Sequence, residues 1–505
     1  MTRQAAGGAR AGPGRRVAGS PETDVSPPSA RHHEGVQTAT ETERKYDVPD
    51  GFDLPALDDA GTPRVHDLDA IYYDTDDLRL ARHRRTLRRR SGGTDAGWHL
   101  KTPGDGTGRT EHQMPPDGDS VPGELRAVVR ALVRTSELRP VARLQTHRVE
   151  TPLHDARGRT LALIAQDEVT ATVDDRVWRW RELEVELVDG DVALLERVES
   201  LLLRAGARPA SGPSKLARAL GDKLTPAPSA RIKDPALRYA REQRDAIVAH
   251  DPGVRAGDPE AVHKMRVATR RLRSVLKTYR KSFRAEPSAH VRAELKWLAE
   301  KLGTVRDAQV MQRKLLSVVE RETDEVAAIA ERIREHLGEA ERCGRRELGT
   351  ALDGERYLTL LDAIDDLVAG PDRPHGDPRR RADKALRTAD RELDEARLTL
   401  DDAALHGARK SYKRARYAIE VMVPDQGRRA KQLADAVSRL QDVLGAHQDA
   451  VVARELLREL ASQAADGFPY GVAYARQEQA GQDALGQLPV TLEDVRRRKL
   501  RDWLT

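Results

Sequence analysis

One motif occurs twice in this chain. His263-Lys-Met-Arg266-Val-Ala-Thr-Arg270-Arg271-Leu-Arg273 returns as His406-Gly-Ala-Arg409-Lys-Ser-Tyr-Lys413-Arg414-Ala-Arg416, with His or a basic residue at the same positions. A second pair follows in the same order. Leu298…Leu302-Gly303-x-x-Arg306-Asp307-Ala308 is echoed by Leu440…Leu444-Gly445-x-x-Gln448-Asp449-Ala450. Two blocks in one order at nearly constant offset mark a duplicated unit. After about residue 233 the apolar periodicity is 3.6, so the unit is helical. Residues 234–505 are therefore expected to form an all-α domain of two related halves, about 234–370 and 379–505, divided by the Gly/Pro-rich stretch 370–378. Helices are predicted at about 236–249, 259–283, 289–302, 306–336, 380–398, 403–422, 430–444 and 448–464.

Helix geometry gathers the first motif onto one stripe. His263, Arg266, Arg270 and Arg273 span roughly 80° of the helix surface, and His406, Arg409, Lys413 and Arg416 repeat the stripe. Like charges spaced this way cost a few tenths of a kcal/mol per pair. A single such stripe is most simply a solvated face. Two copies point to a polyanion, and a linear phosphate chain suits a continuous groove between the two helices. Arg offers forked donors to phosphate oxygens and Lys a point charge. A metal reading of the two histidines is disfavoured, because neither has a second His at i+4 and the neighbouring cations would repel the ion. At these residues the region resembles the CHAD family. The resemblance implies two pseudo-symmetric helical bundles that bind inorganic polyphosphate through the eight named residues, and some relatives associate with polyphosphate granules. Gly407 and Gln448 depart from the first copy's Lys264 and Arg306.

Before the linker read at 223–233 the pattern is different: short alternating segments broken by Gly and Pro, with two helices near Gly123–Val133 and Val192–Ala205. Alternation puts Glu41, Glu43 and Lys45 on one strand face, Arg88 and Arg90 on another, and Glu182, Glu184 and Glu186 on a third. His99 and Lys101 share a face, as do Arg109 and Glu111. Arg143 and Arg148 have opposite parity, so a regular strand cannot point both inward. Two arrangements remain open on the residues alone. One is an ordinary sheet with its charges in water. The other is a closed barrel with an ionic interior, whose desolvation cost a triphosphate and a divalent metal would offset.

The ordered set Glu41-x-Glu43-x-Lys45, Tyr73-Asp74-Thr75, Leu87–Arg90, Lys101, Glu182-x-Glu184-x-Glu186 and Ser214-Lys215-Leu216 resembles the CYTH family of triphosphate tunnel metalloenzymes over residues 37–222. The resemblance implies an eight-stranded antiparallel β-tunnel dependent on Mg²⁺ or Mn²⁺, with two-metal phosphoryl transfer as the mechanism. It places Glu41, Glu43, Glu182 and Glu184 at the metal. Glu41, Glu43 and Lys45 form the catalytic set, while Arg88, Arg90, Lys101, Arg109, Arg148 and Lys215 hold phosphate. Glu111 and Asp167 are secondary assignments.

The expected whole is an α+β multidomain chain: a disordered tail at 1–36, a CYTH-like tunnel and a CHAD-like helical domain. The expected activity is hydrolysis of inorganic triphosphate or related polyphosphate. The rivals are a non-catalytic polyphosphate-binding adaptor and a nucleoside triphosphatase or adenylyl cyclase. A third of the residues are charged and only 4% are aromatic, which suits long charged helices and leaves little for base stacking on single-stranded nucleic acid. Salt-sensitive binding to a nucleic-acid backbone stays open. Basic and acidic residues nearly balance, 87 against 82, so clustering rather than net charge carries the polyanion argument. The lone Cys343 excludes an internal disulfide and a cysteine metal cluster. With no signal-like or membrane-spanning apolar run, the expectation is a cytoplasmic protein, at polyphosphate granules if the helical domain recruits it there.

Overall fold

In this computed structural model the described residues are 37–57, 59–103, 109–224, 232–372 and 375–504. The tail at 1–36 and most of the expected linker lie outside them. The alternating segments become ten strands: β1 (Gln37–Glu41), β2 (Glu43–Asp47), β3 (Arg64–Asp74), β4 (Thr86–Ser91), β5 (Gly97–Pro103), β6 (Arg109–Met114), β7 (Arg139–His154), β8 (Thr160–Val173), β9 (Arg176–Leu187) and β10 (Arg208–Pro209). They form one antiparallel sheet in the order β1-β6-β5-β4-β3-β7-β8-β9-β2-β10. β1 pairs with β6 and β2 with β9, and only Thr42 separates β1 from β2. Among the described residues no continuous ladder closes the sheet; the backbone at Thr42 joins β1, at one end, to β2, next to the other end. If 37–47 is counted as one interrupted strand and the two-residue β10 is set aside, the expected eight remain.

Over β2, β9, β4 and β5 the outer face of this sheet is apolar. Leu183 and Val185 of β9 pack with Leu195, Val198 and Leu202 of the Val192–Arg204 helix. Leu87, Trp98 and Leu100 of β4 and β5 pack with Leu125, Val129 and Leu132 of the Gly123–Val133 helix. That cover turns the ionic faces inward, against the reading of a sheet with its charges in water, although the sheet is not closed as the barrel reading expected. A third helix, Lys215–Leu220, sits against the inner face. Its Leu216, Ala219 and Leu220 pack on Ala70, Tyr72, Leu144 and Val169. Ser214 starts this helix as N-cap, accepting a hydrogen bond from the Ala217 N–H at 3.1 Å, so the Ser-Lys-Leu motif fixes where Lys215 leaves the backbone.

The remainder is helical. Asp234, Asp258 and Asp377 each cap a helix whose first residue is proline, at Pro235–Arg255, Pro259–Thr278 and Pro378–Thr399. An aspartate that accepts backbone N–H groups and a proline that needs no donor make a firm start signal. Asp401 caps Asp402–Glu420 in the same way. Two predicted breaks are corrected: Ala285–Val319 runs through Gly303 and Arg428–Ser462 through Gly445, each as one 35-residue helix. A mid-helix glycine costs only about 1 kcal/mol, and at Gly445 it leaves room for the Arg409 guanidinium. The predicted 306–336 helix is correspondingly displaced, and Ala330–Asp353, Glu355–Val368, Phe468–Gly486 and Leu488–Arg496 complete the domain. Among the described residues no helix is long and apolar enough to cross a membrane.

The two regions share one apolar core. The Gly123–Val133 helix packs on the Pro235–Arg255 helix, and the cluster runs without interruption from Trp98 through Leu132 into Leu237, Leu272 and Leu298. Just past that first helix, Arg134 is buried and its guanidinium forks onto Asp362 and Asp365 of the Glu355–Val368 helix. Nearby, the Arg130 Nη2 donates to the Asp353 carbonyl at 2.8 Å.

Candidate functional site

The inner sheet face surrounds a cavity of about 280 Å³, lined by charged side chains from β2 to β9 and by Lys215. Register sets its acidic wall. Glu43 lies opposite Glu186, Lys45 opposite Glu184 and Asp47 opposite Glu182. Glu184 is the hub: Lys45 contacts it, Arg148 Nη2 lies at 2.9 Å and Lys215 Nζ at 2.8 Å. Burial alone would raise its pKa, but Lys215, Lys45 and Arg148 hold it well below the usual carboxylate range. Lys215 also reaches Asp167 at 2.9 Å and Glu182 at 2.7 Å. Burial opposes its charge, yet Asp167, Glu184 and Glu182 raise its pKa.

Asp167, Glu182 and Glu184 are the compact acidic trio among the described residues, with carboxylate oxygens within 4.8 Å of one another. These hard oxygen donors fit Mg²⁺ or Mn²⁺, and the Lys215 ammonium shows that the trio accommodates a cation. Beside it, Glu186 has the opposite balance. Burial pushes its carboxyl up, Lys101 pulls down, and the charges of Glu43 and Glu184 add to the rise. Glu43 itself is held low, because Lys45 at 3.0 Å overcomes its burial.

The facing wall is cationic. Arg88 is half-buried; its Nη1 lies 3.4 Å from the Tyr72 hydroxyl, and its buried Nε has no hydrogen-bond partner among the described residues. Lys101 stands 3.9 Å from Glu111, and the Arg109 guanidinium donates to the Pro213 carbonyl. Arg148 forks onto Asp167 with two 2.8 Å bonds. Arg143 points the other way, to Asp69 on the exposed face.

In the helical domain the two repeated stripes meet where Pro259–Thr278 packs on Asp402–Glu420. Burial, then the charges of Arg409, Arg270, Arg266 and Arg416, depress Lys413 to about 7. The Nε atoms of Arg266, Arg270, Arg409 and Arg416 and the Nδ1 of His406 are buried without hydrogen-bond partners among the described residues. His263 and Arg273 belong to the same field: burial lowers both, and Arg270 acts on each. Arg266 rests against Gly303 and pairs with Asp307 at 3.1 Å, and Arg409 rests against Gly445. The two blocks of the sequence repeat are thus two halves of one contact, made twice.

Residues 39–219 match the CYTH domain and residues 238–458 the CHAD domain. The uncharacterized protein Rv2226 of Mycobacterium tuberculosis strain H37Rv is 38% identical over 531 residues, which cover 94% of this chain and 99% of the relative. This chain is a CYTH–CHAD protein. Among solved structures, PptA from Streptomyces chartreusis is 20% identical with a TM-score of 0.44, over 51% of this chain and 98% of that one. The CHAD domain from the plant Ricinus communis is 25% identical with a TM-score of 0.34, over 52% and 87%.

The CYTH cavity of this CYTH–CHAD protein brings together Glu43, Lys45, Arg88, Arg90, Lys101, Arg109, Arg148, Glu184 and Lys215 of the expected set. Glu41 places its backbone opposite Arg109, and its side chain lies outside the described residues. Glu182 stands apart from the cavity wall, bonded to Trp180 and Lys215. Glu186, absent from the expected metal set, lines the cavity instead. Its parity with Glu184 was visible in the sequence; its register against Glu43 was not. Tyr72, His66 and Glu150 also line the wall without a sequence signal that singled them out.

Proposed function

We propose that the CYTH cavity hydrolyses inorganic triphosphate or a related short polyphosphate with a divalent metal, and that the CHAD groove binds polyphosphate. The observation that carries the first part is Arg88. A half-buried guanidinium whose buried Nε has no partner among the described residues, in a cavity also walled by carboxylates, is a costly arrangement unless an anion completes it. Phosphate oxygens supply that anion, and Arg88, Lys101 and Arg148 are the donors that would orient them.

Glu184 is the carboxylate we place at the metal, with Glu43 and Glu186 on one side and Glu182 on the other, and Glu41 as the remaining motif position. When bound, Mg²⁺ or Mn²⁺ supplies Lewis-acid neutralisation of phosphate charge. Lys45 holds the Glu43 carboxyl low, and Lys215 does the same for Asp167 and Glu184, so the acidic wall is ready for a cation. The buried Nε donors of Arg266, Arg270 and Arg409, without hydrogen-bond partners among the described residues, support the second part in the same way.

Phosphate release from tripolyphosphate, ATP and long-chain polyphosphate tests the reading, with Mg²⁺ or Mn²⁺ and with chelator. Chelator-sensitive release that is fastest on tripolyphosphate is expected. No release by folded protein would leave the binding adaptor as the better account, and preference for ATP would favour nucleotide chemistry.

A further inference from the structure

The turn between β4 and β5 carries a charge that the proposed reaction does not use. Asp95, 46% exposed, sets its carboxylate against the buried guanidinium of Arg90. Burial and the nearby Arg88 and Arg148 charges disfavour a lone cation at Arg90, and Asp95 answers that charge from the cavity rim. Both Asp95 and Arg90 line the cavity.

The carboxylate is held in place. Gly92, at φ +81°, passes so close to the Asp67 carbonyl that no Cβ fits, and Gly97, at φ +154°, does the same against the Met114 carbonyl. These two contacts pin the ends of the turn to the neighbouring strands, and only glycine tolerates both the φ and the approach. Between them, the Asp95 carbonyl lies 2.8 Å from His99 Nε2, whose ring is fixed on its other side by Glu111 at 2.9 Å. Asp95 therefore supplies Arg90 with a counter-charge from a turn fixed at both ends, while Arg88, two residues earlier on β4, has no ion pair among the described residues.

We propose that Asp95 is a specificity-determining residue that limits the length of phosphate chain the cavity accepts. A chain held at Arg88 and Lys101 keeps its full set of donors. A chain long enough to reach Arg90 meets a guanidinium already neutralised and a fixed carboxylate that repels the next phosphate. Discrimination by a repulsive element of this kind needs no loss of contact to the shorter substrate. The proposal rests on the triphosphate reading of the same cavity.

The test compares full-length wild type with Asp95→Asn, Asp95→Ala and Asp95→Glu on inorganic tripolyphosphate and linear tetraphosphate with Mn²⁺. The ratio of kcat/KM for tetraphosphate over tripolyphosphate should rise about tenfold or more in Asp95→Asn and Asp95→Ala, since a like-charge juxtaposition costs at least that much. It should stay near wild type in Asp95→Glu. The CHAD groove is common to all four proteins, so changes in the ratio report the cavity. An unchanged ratio in an active Asp95→Asn enzyme overturns this proposal and leaves the triphosphatase reading standing. If wild type turns over neither substrate, that reading fails, and calorimetric binding of the two phosphates decides Asp95. Tetraphosphate bound more tightly by Asp95→Asn than by wild type supports the proposal, and equal or absent binding overturns it.

Discussion

Arg409 lies against Gly445 so closely that its Nη2 is 2.9 Å from the point where a β-carbon would stand. In the other half, Arg266 approaches Gly303 with a corresponding distance of 3.5 Å. The pair is equivalent in sequence and unequal in space. Gly445→Ala should push the Arg409 guanidinium out of its seat and weaken polyphosphate binding about tenfold or more, the worth of a charge-assisted hydrogen bond. The obstructing atom is the end of a flexible side chain, so the melting temperature should hardly fall. Gly303→Ala meets ordinary van der Waals contact, and should keep affinity while gaining up to about 1 kcal/mol of helix stability. Calorimetric titration and thermal melts of the two variants check the asymmetry; equal effects would remove it.

Lys413 should make polyanion binding depend on pH. Its pKa is depressed to about 7, by burial first and by four arginines after that. Bound phosphate favours the charged form, so binding takes up a proton wherever free Lys413 is neutral. Affinity should be level below about pH 7 and fall as pH rises above it. Lys413→Arg, charged throughout, should flatten that decline. A decline that persists in Lys413→Arg would have to come from another group.

Glu43→Ala should cut metal-dependent turnover by about 10²–10³-fold, as loss of one preorganised electrostatic contact does, with a circular dichroism spectrum like wild type. Glu186 adds an acid limb. Its carboxyl is raised, chiefly by burial and further by Glu43 and Glu184, and only its ionised form holds a metal. Apparent metal affinity should therefore weaken as pH falls through that raised pKa, and Glu186→Gln should lose this limb along with part of the affinity. Full activity in Glu43→Ala would withdraw the acidic wall from the reaction.

Removing Lys215 should expose what it balances. Lys215→Ala leaves Asp167, Glu182 and Glu184 buried together without their shared cation, and breaking such a set costs about 3–5 kcal/mol. Mn²⁺ or Mg²⁺ should restore much of the lost melting temperature in this variant, through binding to the folded state. A melting temperature indifferent to metal and to chelator would show that the trio does not take a divalent ion.

The sequence displayed the faces more clearly than their neighbours. Alternation put Glu182, Glu184 and Glu186 on one side of a strand, but the choice among them depends on a two-residue offset against β2, which alternation cannot reveal. Arg143 and Arg148 could not both point inward, and pairing of Arg148 with Asp167 selects the inward one. Gly303 and Gly445 read as helix ends because a glycine was weighed by propensity alone. The need for glycine at 445 appears only with Arg409 in place. The two helices flanking the sheet were legible, and so was the repeat. The second contact face of the Gly123–Val133 helix was not, since its partner begins a hundred residues later.

That second face has a practical and an evolutionary edge. One helix serves as roof to the tunnel and as floor to the helical bundle, so a cut at the junction near residue 230 would lay bare a greasy seam on both fragments. Halves expressed separately would tend to clump, and their behaviour would say little about the intact chain. The cleaner dissection silences one function by point substitution and leaves the seam sealed. For the same reason, neither module is free to be traded for another: whatever sits beside this tunnel must bring a surface cut to fit that roof.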